Sequence, residues 1–219
     1  RSILSIGIYL NEWSSFSFLF PSATLLKRKI VILLLISLLL AGGGYFAFAA
    51  FKLEIKARLG QVLLQHAWHK TIKTGEDHRP WKSFDGTAIL RLKIPNFEVD
   101  QIILRGTSGQ SLAFGPAFHE ESLLPGNGGT TVLSSHRDSH GIYIKKLQIG
   151  DIIKLQDRYK QWYMYEIDDF NIINVNTDSI LTLNTDDNLL IITCYPFYAV
   201  RSGTPYRYVV IANNYKENI

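Results

Sequence analysis

Residues 189–211 read Leu189-Leu190-Ile191-Ile192-Thr193-Cys194, then a loop, then Arg207-Tyr208-Val209-Val210-Ile211. Each flank is short, apolar and rich in β-branched residues, and turn-formers lie between them, the pattern of two buried strands. If the two are antiparallel neighbours, the end of the first lies beside the start of the second. Cys194 and Arg207 then share one rim, joined by residues 195–206. Hairpin loops usually run 2–5 residues, so a connection this long points to function. A third strand-like run, 130–135, closes at His136. Whether it reaches the same rim depends on strand order, which the sequence does not state.

A thiol, an imidazole and a guanidinium at strand ends match the needs of nucleophilic catalysis. A nearby imidazole raises the small thiolate fraction of a cysteine, and an arginine stabilises charge developing on a carbonyl oxygen. Other readings stay open on the residues alone. Cys194 is the chain's one cysteine, and an unpaired cysteine is more often a small buried hydrophobe. Arg207 also reads as an exposed strand-end charge. His136, His140 and Cys194 would supply three zinc ligands, but H-x3-H pairs normally sit on one helix face and this one falls on a strand end and loop. No metal and no cofactor are expected. Asp138 would orient His136 or, more naturally, make an Asx-type backbone bond.

Working outward, Leu90, Leu92 and Ile94 alternate with Arg91 and Lys93 up to Pro95, a half-buried strand. Further strands are expected over 99–104, 151–156 and 162–173, and only 111–119 reads as briefly helical. Turn signals at Gly106, 125–129, Gly150 and Gly203 separate them. The class is all-β, a closed barrel or a sandwich with short helices.

The N-terminal part differs. Residues 30–51 contain no charge, and as a helix they would rise about 33 Å, enough for a hydrocarbon core of about 30 Å. This predicts a transmembrane anchor rather than a cleaved signal peptide, whose apolar run is shorter. Three basic residues on each side (Lys27, Arg28, Lys29; Lys52, Lys56, Arg58) leave orientation undecided. Residues 52–79 are expected to form a stalk helix and linker. Its helix carries Leu53, Leu59, Val62, Leu63 and Ala67 at near-helical spacing, followed by a polar 74–80. His66 and His69 read as part of a solvated face. Residues 80–219 form the domain, and residues 1–29 before the span are given no function. Residues 1–75 hold nine Lys/Arg against two Asp/Glu, whereas 76–219 hold fourteen against seventeen. The basic character therefore belongs to the anchor, and the domain has no electrostatic footprint for nucleic acid.

In order and spacing, His136-Arg137-Asp138 after a strand, Ile192-Thr193-Cys194 ending another, and Arg207 resemble a sortase. Ala67-Trp68, Pro80-Trp81, 112–116 and Thr193-Cys194-Tyr195-Pro196-Phe197 are similar to sortases of Gram-negative, often marine, bacteria. Ser134-Ser135 departs from the small residues many members carry before the histidine. The resemblance implies a closed eight-stranded β-barrel behind a single-pass anchor in the cytoplasmic membrane, with the catalytic domain facing the periplasm. It implies a cysteine transpeptidase that cleaves a protein's C-terminal sorting signal through a thioacyl enzyme and transfers the protein to an amine acceptor. Cys194 would be the nucleophile, His136 the acid and base, and Arg207 the oxyanion and substrate-backbone ligand. Thr193, Ser135, Ile180, Leu181 and Leu183 would line the substrate site. Two alternatives are a peptidase that mainly hydrolyses its acyl enzyme and a non-catalytic, membrane-tethered peptide-binding β-domain.

Overall fold

The computed structural model describes residues 23–178, 187–199 and 203–215. Helix α1 spans Ala23–Thr74 and is followed by β1 (Ala88–Ile94), β2 (Val99–Arg105), α2 (Gly109–Phe114) and β3 (Ala117–Phe118). Then come β4 (Thr131–Ser134), β5 (Ile152–Gln156), β6 (Trp162–Asn174), β7 (Asn188–Cys194) and β8 (Tyr206–Asn214). The chain divides into two units, one up to Glu54 and one from Ile55 onward.

In the second unit the strands close into a barrel in the order β1-β2-β3-β4-β7-β8-β6-β5. The β2–β3 and β4–β7 pairs are parallel and the others antiparallel. Strand periodicity sends alternate residues to opposite faces. Leu90, Leu92, Ile103, Leu133, Ile153, Ile167, Ile191 and Val210 therefore meet in the barrel interior. The other face of β4, β7, β8 and β6 carries a second buried cluster, Val132, Leu190, Ile192, Val209 and Ile173. Apolar packing on both faces explains why 189–192 reads as an unbroken apolar run. The eight-stranded barrel is as the family resemblance implied, but β3 has no alternation to detect in only two residues.

At the C-terminal end of α1, Leu64, Ala67, Trp68 and Thr71 are buried, a helical i, i+3, i+4, i+7 face. They pack with Ala88, Ile102, Leu104 and Phe84 against β1 and β2. Leu59 and Val62, counted in the apolar stripe on spacing alone, are exposed instead. The polar residues after the helix are pinned: Asp77 pairs with Arg105 at 3.1 Å and with Arg158 at 2.6 Å, and His78 bridges to Ala88. Earlier in α1, a stretch is long and apolar enough to cross a membrane, and none of it is buried within the protein.

Candidate active site

The site is assembled by strand register. Cys194, the last residue of β7, stands opposite Arg207 near the start of β8. Directly opposed residues of an antiparallel pair hold their Cβ atoms about 4.5–5.5 Å apart. On the other side of β7, Ser134 of β4 is registered with Ile192 in parallel. The alignment continues past the strand end: Ser135 N–H donates to the Ile192 carbonyl at 2.9 Å. The Thr193 hydroxyl donates to the Ser135 carbonyl at 2.8 Å. Two residues beyond the 134–192 pair stand His136, just past the end of β4, and Cys194, the last residue of β7. The parallel β4–β7 pairing thus answers what strand order left open: His136 just after β4, Cys194 at the end of β7 and Arg207 near the start of β8 stand at one rim.

Cys194 and Arg207 also share a face. Cys194 has the parity of Leu190 and Ile192, and Arg207 that of Val209, so both continue the outer cluster rather than the barrel interior. Cys194 is partly exposed and His136 exposed. One Arg207 nitrogen, Nη1, donates to the Thr204 carbonyl at 2.6 Å and to the Tyr206 carbonyl at 2.9 Å. These bonds fold the guanidinium back onto its own loop. Among the described residues its other nitrogens meet no protein acceptor. Thr193 and Ser135 are buried, which places them beneath the site as its frame rather than on its surface. Ile180, Leu181 and Leu183 lie outside the described residues.

Arg137 has no assigned role in the sequence reading, yet it ties the site together. Nη1 donates to the Pro196 carbonyl, and Nη2 to the Ala199 carbonyl at 3.0 Å. Nε and Nη2 also grip the Asp138 carboxylate at 3.0 and 2.9 Å. This corrects both readings of Asp138, which neither orients His136 nor makes an Asx bond. The Arg137 hydrogen bonds hold its carboxyl below the ordinary value, helped by the charges of Arg137 and His136. The Asp138 hydrogen bonds in turn raise the Arg137 pKa. The one sequence signal was a cation directly after the candidate base.

Two further histidines flank the site. His119 Nε2 lies 2.6 Å from the Ser134 hydroxyl, and burial pulls its pKa down, partly offset by Glu121. His140 Nε2 donates to the Ala113 carbonyl at 3.3 Å. Burial lowers its pKa too, the Ala113 bond opposing this and His136 adding to it. Among the described residues no three His, Cys, Asp or Glu side chains gather as a metal site.

The model of the Sortase domain family matches residues 92–215, over half of the chain. The chain belongs to the sortase family. Sortase D of Bacillus subtilis (strain 168) is 33% identical to it over 131 residues, 59% of this chain. The match spans 65% of that sortase, slightly less than two thirds of its length. Among solved structures, sortase A from Corynebacterium diphtheriae has a TM-score of 0.54 at 23% identity, covering 61% of this chain and 63% of that one. A Clostridium perfringens sortase D5 transpeptidase gives 0.54 at 22% identity, covering 69% and 89%. At these identities the structural likeness speaks for the sortase fold alone. Sortases as a family are cysteine transpeptidases.

Proposed function

We propose that this sortase is a membrane-anchored transpeptidase with Cys194 as nucleophile, His136 as acid and base, and Arg207 as oxyanion ligand. The observation that carries this reading is the register that brings the end of β4, the end of β7 and the start of β8 to one rim, with His136 just past β4. The Cys194 thiolate attacks the carbonyl carbon of a Thr-Gly-like bond in a sorting signal. Negative charge on the carbonyl oxygen is stabilised by the Arg207 guanidinium. His136 then gives its proton to the departing amine as the C–N bond breaks, leaving a thioacyl enzyme. In the second half an acceptor amine forms the new C–N bond, His136 takes its proton, and the C–S bond breaks to restore the thiolate.

The apolar part of α1 serves as the anchor in the cytoplasmic membrane, with the amino terminus inside and the barrel on the extracytoplasmic, periplasmic side. Anchoring favours protein substrates held at the same surface. The motif wording supports a Gram-negative type.

The test uses the full chain in detergent micelles and a peptide library with a central Thr-Gly bond, read by mass spectrometry of the thioacyl enzyme. Cys194→Ala is expected to abolish capture, and His136→Ala or Arg207→Ala to cut kcat/KM by about 10²–10⁴-fold. Turnover near wild type in Cys194→Ala would sink the proposal. Amide product with an added amine separates transfer from hydrolysis, since water and amine compete for one intermediate.

A further inference from the structure

The rim that carries the three residues continues past His136 on the side away from Arg207. Strand β3 runs antiparallel to β4 and parallel to β2, so β2 begins on the rim where β4 ends. The Gln101 side-chain amide closes the gap by donating to the His140 carbonyl at 3.0 Å. Between this start of β2 and the segment after His136 lies an open pocket of about 490 Å³. Its apolar lining includes Phe97, Ile142 and Tyr143, and its charged lining Glu98, Asp100, Lys145 and Lys146.

The pocket's charge is unbalanced. Both carboxylate oxygens of Asp100 are taken by Arg91, at 2.7 and 2.6 Å, with Lys93 3.6 Å away. That leaves Glu98 against Lys146 and Lys145, whose Nζ also stands 5.1 Å over the Tyr198 ring, so the pocket suits a ligand with a carboxylate. Chemistry says which ligand passes here. One group, His136, protonates the leaving amine and deprotonates the incoming one, so by microscopic reversibility both amines use the His136 flank.

We propose that this pocket is the acceptor site, taking a peptide amine whose body carries a carboxylate; the inference rests on the transpeptidase reading above. The reacting amine sits at His136, the peptide lies between Phe97 and Tyr143, and the carboxylate meets Lys145 and Lys146. Strands β2 and β4 are two spacings apart, about 10 Å. An extended peptide rises about 3.3 Å per residue, so about three residues bridge that span.

Triglycine and triglycinamide differ only in the terminal carboxylate and serve as probes. Titrated into the full chain in detergent micelles, triglycine is expected to bind about two- to fivefold tighter, the size of one exposed ion pair. The variant Lys145→Gln/Lys146→Gln is expected to lose that preference. Equal binding of the two probes, or a preference kept by the variant, would overturn the assignment. A second arm offers both probes to the thioacyl enzyme formed from the Thr-Gly library, and more triglycine amide than triglycinamide adduct is expected. A thioacyl enzyme with no triglycine preference overturns the acceptor site alone. Failure to form any thioacyl enzyme overturns the reading on which it rests, whatever the binding titration shows.

Discussion

Arg137 shows how one side chain can set a loop. Its planar fork reaches the Pro196 and Ala199 carbonyls, about sixty residues away in sequence, while Asp138 fixes its near side. Those carbonyls belong to the segment directly after Cys194, so the residue after His136 holds the segment after Cys194. Arg137→Ala is expected to speed protease cleavage between residues 195 and 205 and to lower kcat/KM by up to about 10²-fold, the scale of a small misplacement. Arg137→Lys is expected to rescue neither, because one ammonium cannot span two carbonyls and a carboxylate in that geometry. Limited proteolysis read by mass spectrometry checks this, and unchanged cleavage would show that the loop is held by other contacts. Nothing in the letters His136-Arg137-Asp138 announces this clasp, since its partners come from the far side of a hairpin. The partly exposed Cys194, by contrast, was legible as a strand-end cysteine.

At the scale of elements, the turn after β4 and the last turns of α1 carry the consequences. His136 begins a tight turn in which the Gly141 N–H donates to the His136 carbonyl at 2.8 Å. A Cβ at Gly141 would stand 2.8 Å from that same carbonyl oxygen and 3.0 Å from the Ser135 hydroxyl. Gly141→Ala therefore has to push the His136 backbone. It is expected to cost about 1–3 kcal/mol, the usual range for overpacking, and to reduce turnover; denaturant unfolding beside steady-state kinetics measures both. Trp68 is 1% exposed within the helix–barrel contact, and Trp68→Ala is expected to cost about 3–5 kcal/mol. A change under 1 kcal/mol in urea unfolding would mean that the docked helix is dispensable to the barrel. All strands but β3 were legible from period two and from apolar runs, to within a residue or two at their ends, while β3 falls in 111–119, which reads as helical but holds a helix only over Gly109–Phe114. The docked face of α1 was not, because Leu59 and Val62 have the same spacing as a buried stripe. Only the position of β1 and β2 keeps Ala67, adds Leu64 and Trp68, and leaves Leu59 and Val62 out.

For the whole molecule, burial of phenols in and around the barrel ties stability to alkaline pH. Burial raises the Tyr143 pKa well above its ordinary value. Burial raises that of Tyr165 as well, with the Asp187 carboxylate adding to it. A folded-state pKa above the unfolded one gives stability that is complete below the unfolded value, about 10, and lost as pH climbs past it. Thermal unfolding is therefore expected to drop in midpoint above about pH 10. Tyr143→Phe is expected to soften that drop at little cost near neutrality, because the Tyr143 hydroxyl has no hydrogen-bond partner among the described residues. An unchanged alkaline limit would show that neither phenol must ionise for the barrel to open. The sequence by itself determined the apolar span, the all-β class, most strands and the residue types of the site. Each of these follows from local periodicity or from chemistry carried by a single side chain. Only the tertiary structure decided that β4 lies parallel to β7, that Arg137 clasps the segment after Cys194, and that a charged pocket opens between the start of β2 and residues 140–146. Those are matters of strand order, and strand order is set by how the whole barrel closes over one core, which no local pattern records.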